Sequence, residues 1–78
     1  MIIGFKFDHR KDYFWYLTGE TIDEVEKALN ESENSVPIAC IYDYSSGKFI
    51  KFDERYKSHL NFFLKAIESE KNRIRLSR

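Results

Sequence analysis

Tyr13-Phe14-Trp15-Tyr16-Leu17-Thr18-Gly19-Glu20-Thr21-Ile22-Asp23-Glu24-Val25-Glu26-Lys27-Ala28-Leu29 changes its periodicity half-way along, and that change decides the fold. Tyr13 to Thr18 is aromatic-rich and bounded by turn residues, so it predicts a strand. Gly19-Glu20-Thr21 ends the strand and opens a helix. Thr21 with Glu24 three residues later fits a capping box: the hydroxyl accepts from an unpaired backbone N–H and the carboxylate reaches back toward the cap. Ile22, Val25, Ala28 and Leu29 then recur at helical spacing, which predicts a helix from Ile22 to Ser32. Asn34-Ser35 and Pro37 stop it.

Upstream, Ile2 to Phe7 predicts a first strand, and Asp8-His9-Arg10-Lys11-Asp12 a five-residue hairpin loop. Downstream, Val36 to Tyr44 predicts a third strand, Ser45-Ser46-Gly47 a turn, and Lys48 to Phe52 a fourth strand. Asp53 can cap a second helix, with Glu54 favourable against its N-terminal dipole. Tyr56, Leu60, Phe63, Leu64 and Ile67 make its apolar stripe, and Ile74 extends it. The expectation is one α+β domain over residues 1–78 with a basic C-terminal tail over 71–78. Its order is ββαββα: a two-layer fold, with a four-stranded, largely antiparallel sheet carrying both helices on one face.

The two halves align without a gap at a shift of 35 residues. Ile3 falls on Ile38, Phe5 on Cys40, Asp8 on Asp43, Phe14 on Phe49, Val25 on Leu60 and Leu29 on Leu64. This pattern is that of a repeated ββα unit, or simply of two hairpin-helix units, which share such spacing; both predict the same architecture. Side chains alternate along a strand. A five-residue loop places Phe7 opposite Tyr13, so Ile3, Phe5, Phe7, Tyr13, Trp15 and Leu17 share one face with Ile38, Cys40, Tyr42, Ile50 and Phe52. That face is expected beneath the helices, with Trp15 buried among Phe5, Leu17, Leu29, Leu60 and Phe63. The other face carries Ile2, Lys6, Phe14, Tyr16, Ile41, Phe49 and Lys51, and is expected to be open. A one-residue slip in register exchanges the two.

Composition narrows the function. The chain has 78 residues, close to the lower limit for independent folding, and Cys40 is its only cysteine, so no disulfide staples it. Aromatics make up 17% of residues, which supplies the packing a small core needs. Net charge is zero, but unevenly spread. Glu20, Asp23, Glu24, Glu26, Glu31 and Glu33 cluster in the first helix region, and Lys71, Arg73, Arg75 and Arg78 at the end. The lone thiol and the lack of a signal-type stretch or a ~20-residue apolar run predict a cytoplasmic setting, the host cytoplasm for a phage-encoded chain.

No cofactor, no metal and no catalysis are expected. His9 beside Asp8 and Asp12 reads as a solvated loop, His59 as a helix residue, and Cys40 as a small buried hydrophobe. Gly4, Gly19 and Gly47 are isolated, so there is no glycine-rich phosphate loop. The expected function is a small non-catalytic protein-binding module. Its size and composition are those of phage or mobile-element inhibitors that block a host or defence protein. The expected partner is another protein, or a second copy docked on the open sheet face. The expected contact residues are Phe14, Tyr16, Phe49 and Ile41, rimmed by Lys6 and Lys51, with Glu24 and Glu31 on the acidic helix. The alternative is a single-stranded nucleic-acid binder that stacks bases on the same aromatic and lysine face.

Overall fold

Both hairpins close on the same local device. The Asp8 carboxylate accepts from the Arg10 backbone N–H at 3.0 Å, and the Asp43 carboxylate from the Ser45 N–H at 3.0 Å. Each aspartate therefore ends a strand and builds the following turn. Four residues beyond each, Asp12 and Gly47 take left-handed backbone, with φ of 50° and 70°. These matched turns are 35 residues apart, as the repeat predicts.

The computed structural model describes residues 1–76. Strands β1 (Ile2–Asp8), β2 (Tyr13–Gly19), β3 (Ile38–Asp43) and β4 (Lys48–Phe52) form an antiparallel sheet in the order β2-β1-β3-β4. Helix α1 (Ile22–Glu31) joins β2 to β3, and α2 (Leu60–Leu76) follows β4 through a 3₁₀ turn over Glu54–His59. Thr21 caps α1 as predicted, whereas Asp53, expected to cap the second helix, caps the 3₁₀ turn that precedes it. Thr21 Oγ1 accepts from Glu24 N at 3.2 Å, and Asp53 Oδ1 accepts from Arg55 N at 3.0 Å. Glu24 reaches back to the Glu20 N–H, one residue before the cap. Ser77 and Arg78, the end of the basic tail, lie outside the described residues; Lys71, Arg73 and Arg75 belong to α2.

The placement of the helices on one face is corrected by the structure: they lie on opposite faces. Ile2, Ile41, Val25 and Leu29 form one core with Leu17, Ile22 and Ile38, beneath α1. Ile3, Phe5, Phe7, Cys40, Tyr42, Phe63 and Ile67 form the other with Phe14, Tyr16, Phe49 and Phe52, beneath α2. The physical reason lies in the central strands. Every residue of β1 is buried, and so is β3 from Ala39 to Tyr42. A strand apolar on both faces needs cover on both. The strand order suits a two-fold repeat of ββα units, but helices on opposite faces break that symmetry.

Two further departures follow from register. Asp8 pairs with Tyr13 and Phe7 with Phe14, because Asp8 belongs to the ladder and the loop is one residue shorter. Phe14 and Tyr16 therefore share the face of Phe5 and Phe7, while Tyr13, Trp15 and Leu17 turn to the α1 side. In β4 an irregularity between Ile41 and Tyr42 opposes Ile41 to Lys51 and Tyr42 to Phe49. Phe49 and Phe52 thereby share a face, and Ile50, expected in the core, is 41% exposed. Leu64, placed on the α2 stripe, is 43% exposed; Phe63, Ile67 and Glu70 carry the buried stripe.

Tyr56 is fully buried, and its hydroxyl has no hydrogen-bond partner among the described residues. Burying a hydroxyl unpaired costs about 1–3 kcal/mol. Tyr56→Phe is therefore expected to raise stability by about 1–2 kcal/mol in a urea titration. The same burial sets the alkaline behaviour. Burial pushes the Cys40 thiol from 9.0 up to about 12, and raises Tyr56 and Tyr16 above 10.0, with the Glu70 hydrogen bond and charge adding to the rise at Tyr16. A raised value means the fold holds its proton, so stability is full below the unfolded value and lost as pH climbs through the folded one. Burial lowers Lys6, which has the opposite sign. Three groups outweigh one: the melting temperature should fall between pH 9 and about 12, and less steeply in Tyr56→Phe.

Candidate interaction surface

The open aromatic and lysine face expected from sequence does not exist in this fold, because its members are split between two covered faces. Phe14 lies under α2, its ring 5.9 Å from Phe63 and 6.5 Å from Phe62. Tyr16 donates its hydroxyl to Glu70 Oε1 at 2.9 Å. Phe49 packs on Tyr42 and Phe52 at 5.1 and 5.3 Å. All three are half-buried. Ile41 is fully buried under α1. Lys51 is exposed but tied to Glu26 at 2.7 Å. Glu24 and Glu31 are exposed on α1.

Lys6 departs furthest from expectation. It is 1% exposed, and its ammonium donates to the carbonyl oxygens of Ser32 at 2.6 Å and Glu33 at 3.1 Å. It therefore closes the C-terminal end of α1, where carbonyls lack intrahelical donors and the dipole favours a cation. Burial pulls its pKa down, and the Glu33 carboxylate partly restores it. Glu70 is a second buried charge. Burial opposes its ionisation, but hydrogen bonds from Arg73 and from the Tyr16 hydroxyl prevail and hold it below the ordinary 4.5. This triad fastens α2 to β2.

The histidines are held by rings. His9 stacks on Tyr56 at 5.0 Å with 18° between planes and meets Phe7 at 5.2 Å, while His59 lies 4.3 Å from Phe7. They clasp the first hairpin loop to the 3₁₀ turn. Ser58 Oγ is 3.3 Å from His59 Nδ1. Among the described residues, no group of three or more His, Cys, Asp or Glu side chains is placed to hold a metal ion, and no helix is long and apolar enough to cross a membrane.

What the fold does leave open is the outer edge of β2. Tyr13 is 59% exposed and stacks on Trp15, with ring centroids 5.9 Å apart. The two rings, with Asp8, Lys11, Ser32 and Glu33, line a groove of about 390 Å³. Sequence reasoning placed Trp15 in the core; it is half-buried on the rim of this groove. The missed signal is the count to Asp8: including it in the strand moves Tyr13 and Trp15 off the aromatic face. The edges themselves differ. β4 carries Lys48 and Lys51 and a bulge, which blunt an edge against pairing. β2 holds seven residues in unbroken register with no charge, no proline and four exposed or half-buried aromatics, Tyr13, Phe14, Trp15 and Tyr16. No other element hydrogen-bonds its outer side among the described residues.

No protein-family profile, curated protein or solved structure matches this chain. The function must therefore be argued from this surface.

Proposed function

We propose that the chain is a small, non-catalytic protein-binding module whose working surface is the β2 edge and its Tyr13–Trp15 groove. One observation carries this reading: β2 is a charge-free, aromatic edge strand, while the opposite edge is blunted by lysines. An unprotected apolar edge is an aggregation hazard unless a partner covers it. Aromatic anchors in a groove are also what protein interfaces use for most of their energy. The aromatics expected to stack the bases of single-stranded nucleic acid, Phe14, Tyr16 and Phe49, are half-buried beneath α2.

The test is capture of a partner on the immobilised chain, with and without nuclease, compared with Tyr13→Ser/Trp15→Ser. The double variant should keep its circular dichroism spectrum, because neither ring belongs to either core, and should lose the partner. Recovery that survives nuclease and a rise from about 50 to about 200 mM salt supports a protein interface; steep loss with salt points to phosphate contacts instead. Retention of the partner by a folded double variant would move the working surface elsewhere.

A further inference from the structure

The β2 edge is flanked by α1 on one face of the sheet and by α2 on the other, and the two sides differ. On the α1 side, Glu24 reaches the Glu20 N–H at the end of β2, and Glu33 lines the Tyr13–Trp15 groove near its start. Glu31 is seven residues from Glu24 and so shares its flank of the helix, with Ala28 between them. Glu26 belongs to the opposite flank, where it pairs with Lys51 of β4. Glu20, Glu24, Glu31 and Glu33 are all exposed and none forms an ion pair among the described residues. Three cations stand near these four carboxylates: Lys11 in the groove, the buried Lys6 ammonium beside Glu33, and Lys27 on the outer side of α1.

The wall on the α2 side is apolar. Phe62, 51% exposed, rests on Phe14, and Arg73 lies at the other end with its charge spent on Glu70. Ala66 and Ser69 share that flank by helical spacing. A strand added to β2 points alternate side chains at the two walls. One set would face the carboxylates of Glu20, Glu24, Glu31 and Glu33, of which only Glu33 meets a buried cation, Lys6; the other would face a strip with no free charge.

We propose that β2 receives, as a fifth strand, an extended segment of a partner protein that alternates basic and apolar side chains, with the basic set on the α1 side. Main-chain hydrogen bonds to the free edge hold the segment, and the two walls choose its sequence. A second copy of this chain fits the edge less well. Antiparallel self-pairing of β2 keeps the same face up in both copies, so the acidic flank of one α1 would confront that of the other.

This inference rests on the protein-binding reading and is tested separately from it. The probe is a synthetic peptide as long as β2 that alternates lysine and valine. Controls replace lysine by glutamate, or N-methylate alternate backbone amides. Trp15, the only tryptophan, is the reporter. The lysine peptide should give a saturable change in Trp15 emission. The glutamate and N-methylated peptides should bind at least about tenfold more weakly, the first through charge and the second through lost ladder bonds. Glu24→Gln/Glu31→Gln, which keeps a side-chain oxygen for the Glu20 N–H, should stay folded and weaken the lysine peptide. Equal binding of all three peptides, or none of the lysine peptide, overturns the proposal. So does a dimer in sedimentation that Tyr13→Ser/Trp15→Ser dissociates, since the edge would then belong to a second copy. Failure here, with partner capture still dependent on Tyr13 and Trp15, rejects the strand mode alone; failure of both rejects the binding surface.

Discussion

Phe63→Ala is expected to unfold the chain at room temperature. Phe63 is fully buried, and its ring lies 5.0 Å from Phe5, 5.9 Å from Phe14 and 6.2 Å from Phe52. Its ring meets rings on three strands, β1, β2 and β4. Truncating a large core aromatic costs about 3–5 kcal/mol. A core of this size without a disulfide or metal contributes about the same in total. The two figures nearly cancel, so the native state should lose its majority. Far-UV circular dichroism and a urea titration check this. Trp15→Ala is the contrasting case: the larger ring sits half-buried on a groove rim, and its loss should leave a cooperative transition. If Trp15→Ala unfolds the chain and Phe63→Ala does not, the division of the aromatics between the two faces is wrong.

That contrast also shows what the sequence could reveal. The ββαββα order, the Thr21 cap and the second turn were legible because each rests on local chemistry: a hydroxyl before a helical stripe, and glycine where φ is positive. The side of the sheet each helix takes is not local. It depends on whether β1 has one apolar face or two, and Lys6 disguised the answer. A lysine at that position reads as a solvent-facing residue, whereas its ammonium is buried against the Ser32 and Glu33 carbonyls. Ile2 and Ile41, each adjacent in sequence to apolar residues of the opposite face, carried the contrary signal. The candidate surface was lost for a smaller reason, the single residue Asp8. Counted in the loop, it reversed β2, hid Phe14 and Tyr16 in an imagined open face, and put Tyr13 and Trp15 in an imagined core. Glu24 and Glu31 were legible as an exposed acidic flank, since helical spacing alone places them off the apolar stripe.

Gly4→Val is expected to cost about 3 kcal/mol, the upper part of the range for overpacking a filled core. A Cβ on Gly4 would run into Val25 Cγ1 and lie 2.6 Å from Leu29 Cδ1. Neither neighbour can retreat, because Val25 is 1% and Leu29 0% exposed. Gly4 is thus where α1 crosses β1, and its missing side chain lets the helix seat. Two effects oppose the cost. Valine favours strands on a scale spanning about 1 kcal/mol, and replacing glycine narrows the unfolded ensemble, a gain of about 0.4–1 kcal/mol where the backbone allows it. Both are smaller than a collision with two immobile branches, so the net sign is destabilising. A second variant separates collision from backbone effects. Leu29→Ala alone should destabilise by opening a cavity, but combined with Gly4→Val it should cost less than the sum, with a favourable coupling of about 0.5–3 kcal/mol. Hydrogen exchange should place the damage, since α1 and α2 share the sheet but not a core. Amides of α1 should lose protection in Gly4→Val before those of α2. Simple additivity of the two substitutions, or equal loss in both helices, would show that Gly4 is not the seat of α1.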